Sequence, residues 1–127
     1  MAASTAVHLL VAEDDADIRA LYQELFTEEG YRVSLCERLP DAAEIQRLAP
    51  DLVILDFFDS GASALELIRA IRADTTTAGL PLVVCSAALP QVREAKSELA
   101  ALDVVVMLKP FDLEELLAVV RHRLHPA

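Results

Sequence analysis

Basic residues are scarce in this 127-residue sequence: 11 Lys and Arg stand against 21 Asp and Glu, a formal net charge of −10. Nucleic-acid binding rests on a basic footprint, so direct contact with DNA or RNA is disfavoured. Long apolar runs are missing as well. The longest are a handful of residues, far short of the ~20 that a membrane-spanning helix needs. The first five residues carry no basic group, and Asp14 and Asp15 follow the first short apolar run, so the N-terminus does not read as a signal peptide. No glycine-rich stretch is present to cradle a phosphate, which disfavours P-loop and Rossmann nucleotide folds. The two cysteines, Cys36 and Cys85, lie in apolar, strand-like contexts and read as core thiols rather than as a bridge or metal site. That usage points to the cytoplasm as the expected compartment.

What is present is apolar material in short pieces. Hydrophobic residues make up 54% and mean hydropathy is +0.37, which excludes disorder as the main description. The length suits one domain, expected to cover 1–127, and can bury roughly two-thirds of its unfolded surface.

Apolar runs at 7–12, Leu52–Leu55, 82–85 and Val104–Leu108 are Val-, Ile- and Leu-rich and too short for helices, the pattern of buried strands. A fifth run, Arg32–Cys36, alternates polar with apolar, as a half-exposed edge strand does. Between them lie helical stripes. Ile18, Leu21, Tyr22, Leu25 and Phe26 share a face and stop at Gly30; Leu65, Ile68 and Ile71 mark another helix, and Val92, Ala95, Leu99 and Leu102 a further one. Leu113, Leu116, Leu117, Val120 and Leu124 stripe the last, with Asp112 and Glu115 placed as its N-terminal cap. A weaker helix is read over 40–48. Strand and helix alternate five times, which implies a parallel sheet with helices on both faces.

Polar residues gather at the ends of these strands. Glu13 and Asp14 follow the first, Asp56 the third, Ser86 the fourth and Lys109 the fifth. In open α/β sheets, ligands bind beyond the carboxyl ends of the strands, where strand order reverses. With a 2-1-3-4-5 order, the four strands with polar ends are neighbours and the alternating strand takes an edge. Taken singly, each residue has a plain reading: dipole-complementing acids at a helix start, a strand-end acid, a turn serine. Lys109 resists this, because an ammonium directly after Val-Val-Val-Met-Leu is partly desolvated and needs a partner.

Four motifs in order, Leu10-Val-Ala-Glu-Asp-Asp15, Asp51-Leu-Val-Ile-Leu-Asp56, Val84-Cys-Ser-Ala87 and Lys109-Pro-Phe111, resemble the receiver domains of two-component response regulators, the CheY-like proteins. The resemblance runs from Val7 to Leu124. It implies a flavodoxin-like, doubly wound five-stranded parallel sheet of order 2-1-3-4-5 with five helices. It implies that Asp56 accepts a phosphoryl group from a phosphohistidine on a histidine kinase or histidine phosphotransfer protein. Glu13, Asp14, Asp56 and the carbonyl of Phe58 would hold Mg²⁺, Ser86 would bond a phosphoryl oxygen, small Ala87 would leave that oxygen accessible, and Lys109 would pair with the phosphoryl group. Lys109-Pro110 resembles the family's cis X–Pro site. The expected protein is a stand-alone, cytoplasmic, non-enzymatic phosphoacceptor, monomeric or weakly dimeric, whose contact surface is the fourth helix, fifth strand and fifth helix.

The sequence also departs from the family. Ser60 and Ala64 stand where a proline and a glycine are usual after the phosphoacceptor, Val106 replaces the aromatic three residues before the lysine, and 100–103 lacks a glycine. A valine has no ring to swing and one stiff χ1, so the usual aromatic readout cannot operate as such. These departures motivate a competing expectation, a phosphorylation-independent interaction module of receiver shape. A small phosphatase using Asp56 as nucleophile is a third. A flavin site is disfavoured, because the loop after the first strand is acidic and would repel a flavin phosphate. His8, His122 and His125 read as a strand-rim residue and two solvated helix residues.

Overall fold

Asp15 starts the first helix. Its side chain accepts hydrogen bonds from the amides of Asp17 and Ile18 at 2.9 and 3.1 Å, satisfying donors that a helix N-terminus leaves open. The computed structural model describes residues 6–56, 62–87 and 90–125. Its elements run β1 (His8–Ala12), α1 (Ala16–Glu28), β2 (Arg32–Cys36), α2 (Ala42–Leu48), β3 (Leu52–Leu55), α3 (Ala62–Ala73), β4 (Leu82–Ser86), α4 (Pro90–Ala101), β5 (Val104–Leu108) and α5 (Leu113–Leu124). All neighbouring strands pair in parallel, in the order β2-β1-β3-β4-β5, as the resemblance implies.

Successive side chains along a strand point to opposite faces, and the core divides accordingly. Leu10, Val53, Leu55, Val84 and Val106 pack toward Ile45, Ile68 and Leu99 on one face. Leu9, Val11, Ile54, Cys85 and Met107 pack toward Tyr22, Phe26, Leu116 and Val120 on the other. β2 is half-exposed along most of its length and lies at the sheet edge, as its alternation predicts.

Element ends are set by local chemistry. Gly30 closes α1 at φ +90, a region that L side chains adopt only with strain. α2 starts at Ala42 rather than at residue 40, because Asp41 caps it: the Glu44 amide donates to Asp41 Oδ1 at 2.8 Å and the Asp41 amide to Glu44 Oε1 at 3.4 Å. α5 begins with the Asp112 amide donating to Glu115 Oε1 at 3.2 Å. The strand read over 82–85 extends to Ser86 and the one read from 7 begins at His8. Leu102, counted on the helical stripe before β5, lies one residue beyond α4. The turn that lacks a glycine is made by Asp103 at φ +57. Arg72 Nη2 and Arg123 Nη2 both donate to the Asp103 carbonyl at 3.2 Å, and Arg123 also pairs with its carboxylate at 2.7 Å. Asp tolerates the left-handed region better than most residues, and two guanidinium groups hold it there.

Candidate functional site

The backbone ladder runs one residue past three of the strands. The Glu13 amide donates to the Cys36 carbonyl at 3.0 Å, the Asp56 amide to Ala12 at 2.8 Å, and the Lys109 amide to Ser86 at 2.8 Å. The polar residues that follow β1, β3 and β5 are therefore held as firmly as the strands themselves. Glu13, Asp56 and Ser86 are 2%, 1% and 4% exposed. Asp14 is exposed, with its carboxyl beside that of Glu13.

Lys109 closes the group. Its Nζ lies 2.8 Å from Asp56 Oδ1 and 4.0 Å from Glu13 Oε1. Burial alone would lower its pKa, but the bond and charge of Asp56, with the charge of Glu13, outweigh it and leave it raised. Burial, together with the Asp56 and Asp14 carboxyls, pushes Glu13 up to about 8. Glu13 Oε2 accepts from the Asp15 amide at 3.0 Å, and its main-chain carbonyl accepts from Arg19 Nη1 at 2.8 Å. The Lys109–Pro110 peptide is cis.

Glu13 Oε1 and both Asp56 oxygens are buried and, the Lys109 ion pairs aside, have no hydrogen-bond partner. One ammonium thus faces two buried carboxylates, with a third carboxylate at the rim. That excess of hard oxygen donors fits a divalent cation. Among the described residues no three His, Cys, Asp or Glu side chains form a ready cage. Mg²⁺ typically takes one or two carboxylates and keeps several waters. The expected carbonyl ligand, Phe58, and the departure at Ser60 lie outside the described residues. Ala64 is buried within α3. Ala87 is exposed, and Val106 packs half-buried against the α3 and α4 side.

Residues 9–121 match the response regulator receiver domain family. The chain belongs to that family. The receiver is 32% identical over 117 residues to the DNA-binding response regulator MtrA of Mycobacterium tuberculosis, covering 91% of this chain and 50% of that protein. It is 33% identical over 121 residues to the phosphate regulon transcriptional regulatory protein PhoB of Rhizobium meliloti, covering 94% and 52%. The receiver spans about half the length of these curated relatives. Its fold matches a response regulator receiver protein from Pseudomonas putida at TM-score 0.72 and 29% identity, over 94% of this chain and 98% of that one. It also matches the Vibrio cholerae chemotaxis protein CheY4 at TM-score 0.76 and 21% identity, over 93% and 98%.

One group at this end of the receiver escaped the sequence reading. Tyr22, which the sequence places on an apolar helix stripe, is buried on α1, and burial, with the Asp56 carboxylate, raises its pKa. The available signal was a phenol at a core position of the helix that follows the acidic loop. His8 is buried in β1 and its Nε2 lies 2.7 Å from Ser34 Oγ. His122 and His125 are exposed, and both cysteines are free thiols. Among the described residues no helix is long and apolar enough to cross a membrane.

Proposed function

We propose that this receiver takes a phosphoryl group onto Asp56 from a phosphohistidine on a histidine kinase or histidine phosphotransfer protein. The supporting observation is the buried Asp56 carboxylate, paired with Lys109 at 2.8 Å and set beside Glu13. An Asp56 oxygen attacks phosphorus in line with the P–N bond. That bond breaks, its electron pair goes to the imidazole nitrogen, and an acyl phosphate is left on Asp56. Phosphoryl transfer asks mainly for positioning and for neutralisation of charge on the oxygens. Lys109 supplies a cation that can move from Asp56 to the phosphoryl group, and the Ser86 hydroxyl donates to a phosphoryl oxygen. Glu13, Asp14 and Asp56 would hold Mg²⁺, with the Phe58 carbonyl as the remaining expected ligand. Bound there, the cation offsets carboxylate repulsion and phosphoryl charge.

In this reading the protein is a phosphoacceptor rather than an enzyme, forming one acyl phosphate per chain. It acts in the cytoplasm, where histidine kinases present their phosphohistidine. Its acidity argues that this portion does not itself touch nucleic acid.

Incubation with acetyl phosphate and Mg²⁺, read by intact-protein mass, tests the proposal. A single phosphoryl adduct, lost in Asp56→Asn and lost with EDTA, is the expected result. No adduct, together with no binding of beryllofluoride in Mg²⁺, would overturn it in favour of the phosphorylation-independent interaction module that Val106 motivates.

A further inference from the structure

The carbonyl of Glu13 lies past the end of the β1 ladder. The Glu13 amide is still bonded to Cys36 of β2 and the Asp56 amide to Ala12, but among the described residues no backbone amide is bonded to the Glu13 carbonyl. An arginine takes that place. Arg19 lies in the first turn of α1, and helical side chains lean back toward the helix N-terminus. Its Nη1 accordingly donates to the Glu13 carbonyl at 2.8 Å. The Arg19 side chain is 17% exposed, and its Nη2 lies 4.0 Å from the carboxylate of Glu37, which is 83% exposed. An ion pair that long and that wet contributes little, so the carbonyl bond is what holds the guanidinium. The bonded carbonyl belongs to the peptide that joins Glu13 to Asp14.

We propose that Arg19 is a positioning residue for the cation site: by holding the Glu13–Asp14 peptide, it sets both acids in place before Mg²⁺ binds. The inference rests on Glu13 and Asp14 holding Mg²⁺ with Asp56. A group already ordered in the free protein loses less freedom on binding, and metal ligands depend on the groups that orient them. Glu13 has fixings of its own, through its amide and through Oε2, which accepts from the Asp15 amide at 3.0 Å. Asp14 is exposed and takes its direction from the peptide that precedes it. Two effects of Arg19 on a cation have opposite signs. Its positive charge repels Mg²⁺, so losing it tightens binding. Its bond orders the loop, so losing it weakens binding. Ordering outweighs repulsion here, because the bond is direct at 2.8 Å whereas charge at the exposed rim is screened by water and salt.

The test measures the Mg²⁺ affinity of the full chain by isothermal titration in wild type, Arg19→Met, Arg19→Gln and Glu37→Gln, below the thermal midpoint of each in EDTA. Arg19→Met keeps an apolar stem and removes donors and charge together. Arg19→Gln is shorter and uncharged, and carries the test if Arg19→Met does not fold. The expected result is Mg²⁺ binding about three- to tenfold weaker in both, the range for one hydrogen bond, and unchanged in Glu37→Gln, which leaves the carbonyl bond in place. Adduct formation from acetyl phosphate is expected to need correspondingly more Mg²⁺ for half its maximal rate, with the rate at saturating Mg²⁺ near that of wild type. Tighter Mg²⁺ binding in the Arg19 variants would reduce Arg19 to a repelling charge and overturn the proposal. A lower thermal midpoint with unchanged Mg²⁺ affinity would reduce it to packing and overturn it too, as would an equal weakening in Glu37→Gln. Absence of Mg²⁺ binding in wild type would instead remove the cation reading of Glu13, Asp14 and Asp56, and this inference with it.

Discussion

Glu13 is the residue whose energetics depend most on its surroundings. In the fold it titrates near 8, against an ordinary value of 4.5. Between those values the folded chain keeps a proton that the unfolded chain has released, so stability falls as pH rises through that window. In EDTA, the thermal midpoint is expected to drop between about pH 5 and about pH 9, with Glu13→Gln flattening the drop. An unchanged slope in Glu13→Gln would locate the titration elsewhere. A carboxylate must be ionised to bind a cation, so Mg²⁺ affinity is expected to rise over the same window in wild type. Isothermal titration at several pH values checks this. Lys109 answers the other half of the arrangement. Its pairing with Asp56 at 2.8 Å was legible as a need, because a lysine after five apolar residues cannot remain unpaired. Tyr22 was not legible, because on a helix stripe a phenol is indistinguishable from any other core ring until its neighbours are known.

At the scale of elements, α1 is set by its two ends. Asp15 holds two open amides at its start, and Asp15→Ala is expected to lower stability by about 1 kcal/mol. The denaturant midpoint should move with no change in slope. Gly30 ends the same helix at φ +90, and nothing lies within 4 Å of where a Cβ would sit. Gly30→Ala is therefore expected to cost about 1–2 kcal/mol from backbone strain alone, again read by chemical denaturation. A cost near zero would show that the turn relaxes. Strand and helix identity were legible from apolar period, and the edge position of β2 from its alternation. Element ends were less so. Asp41 moved the start of α2, and Asp103 took a turn that a glycine usually makes, held by Arg72 and Arg123. Periodicity carries no information about such contacts.

At the scale of the whole molecule, a net charge of −10 includes three carboxylates, Glu13, Asp14 and Asp56, concentrated at one end of the sheet. A ligand that binds only the folded state stabilises it by mass action. Mg²⁺ is expected to raise the thermal midpoint reversibly, with EDTA removing the gain and sodium chloride of equal ionic strength failing to reproduce it. Asp56→Asn should abolish most of that gain. A shift of the same size in Asp56→Asn would place the cation elsewhere on the acidic surface.

The alternation of short apolar runs with striped helices was determined by the sequence itself, because apolar period reports which face of an element is buried. The motifs at the strand ends carried the family and, through it, the strand order. Tertiary structure alone decided that the Glu13 and Asp56 carboxylates converge within 4.0 Å of the Lys109 ammonium. These residues come from distant parts of the chain. Their meeting depends on strand pairing and on the direction in which each strand end points, and both are settled only when the sheet and its two apolar faces assemble together.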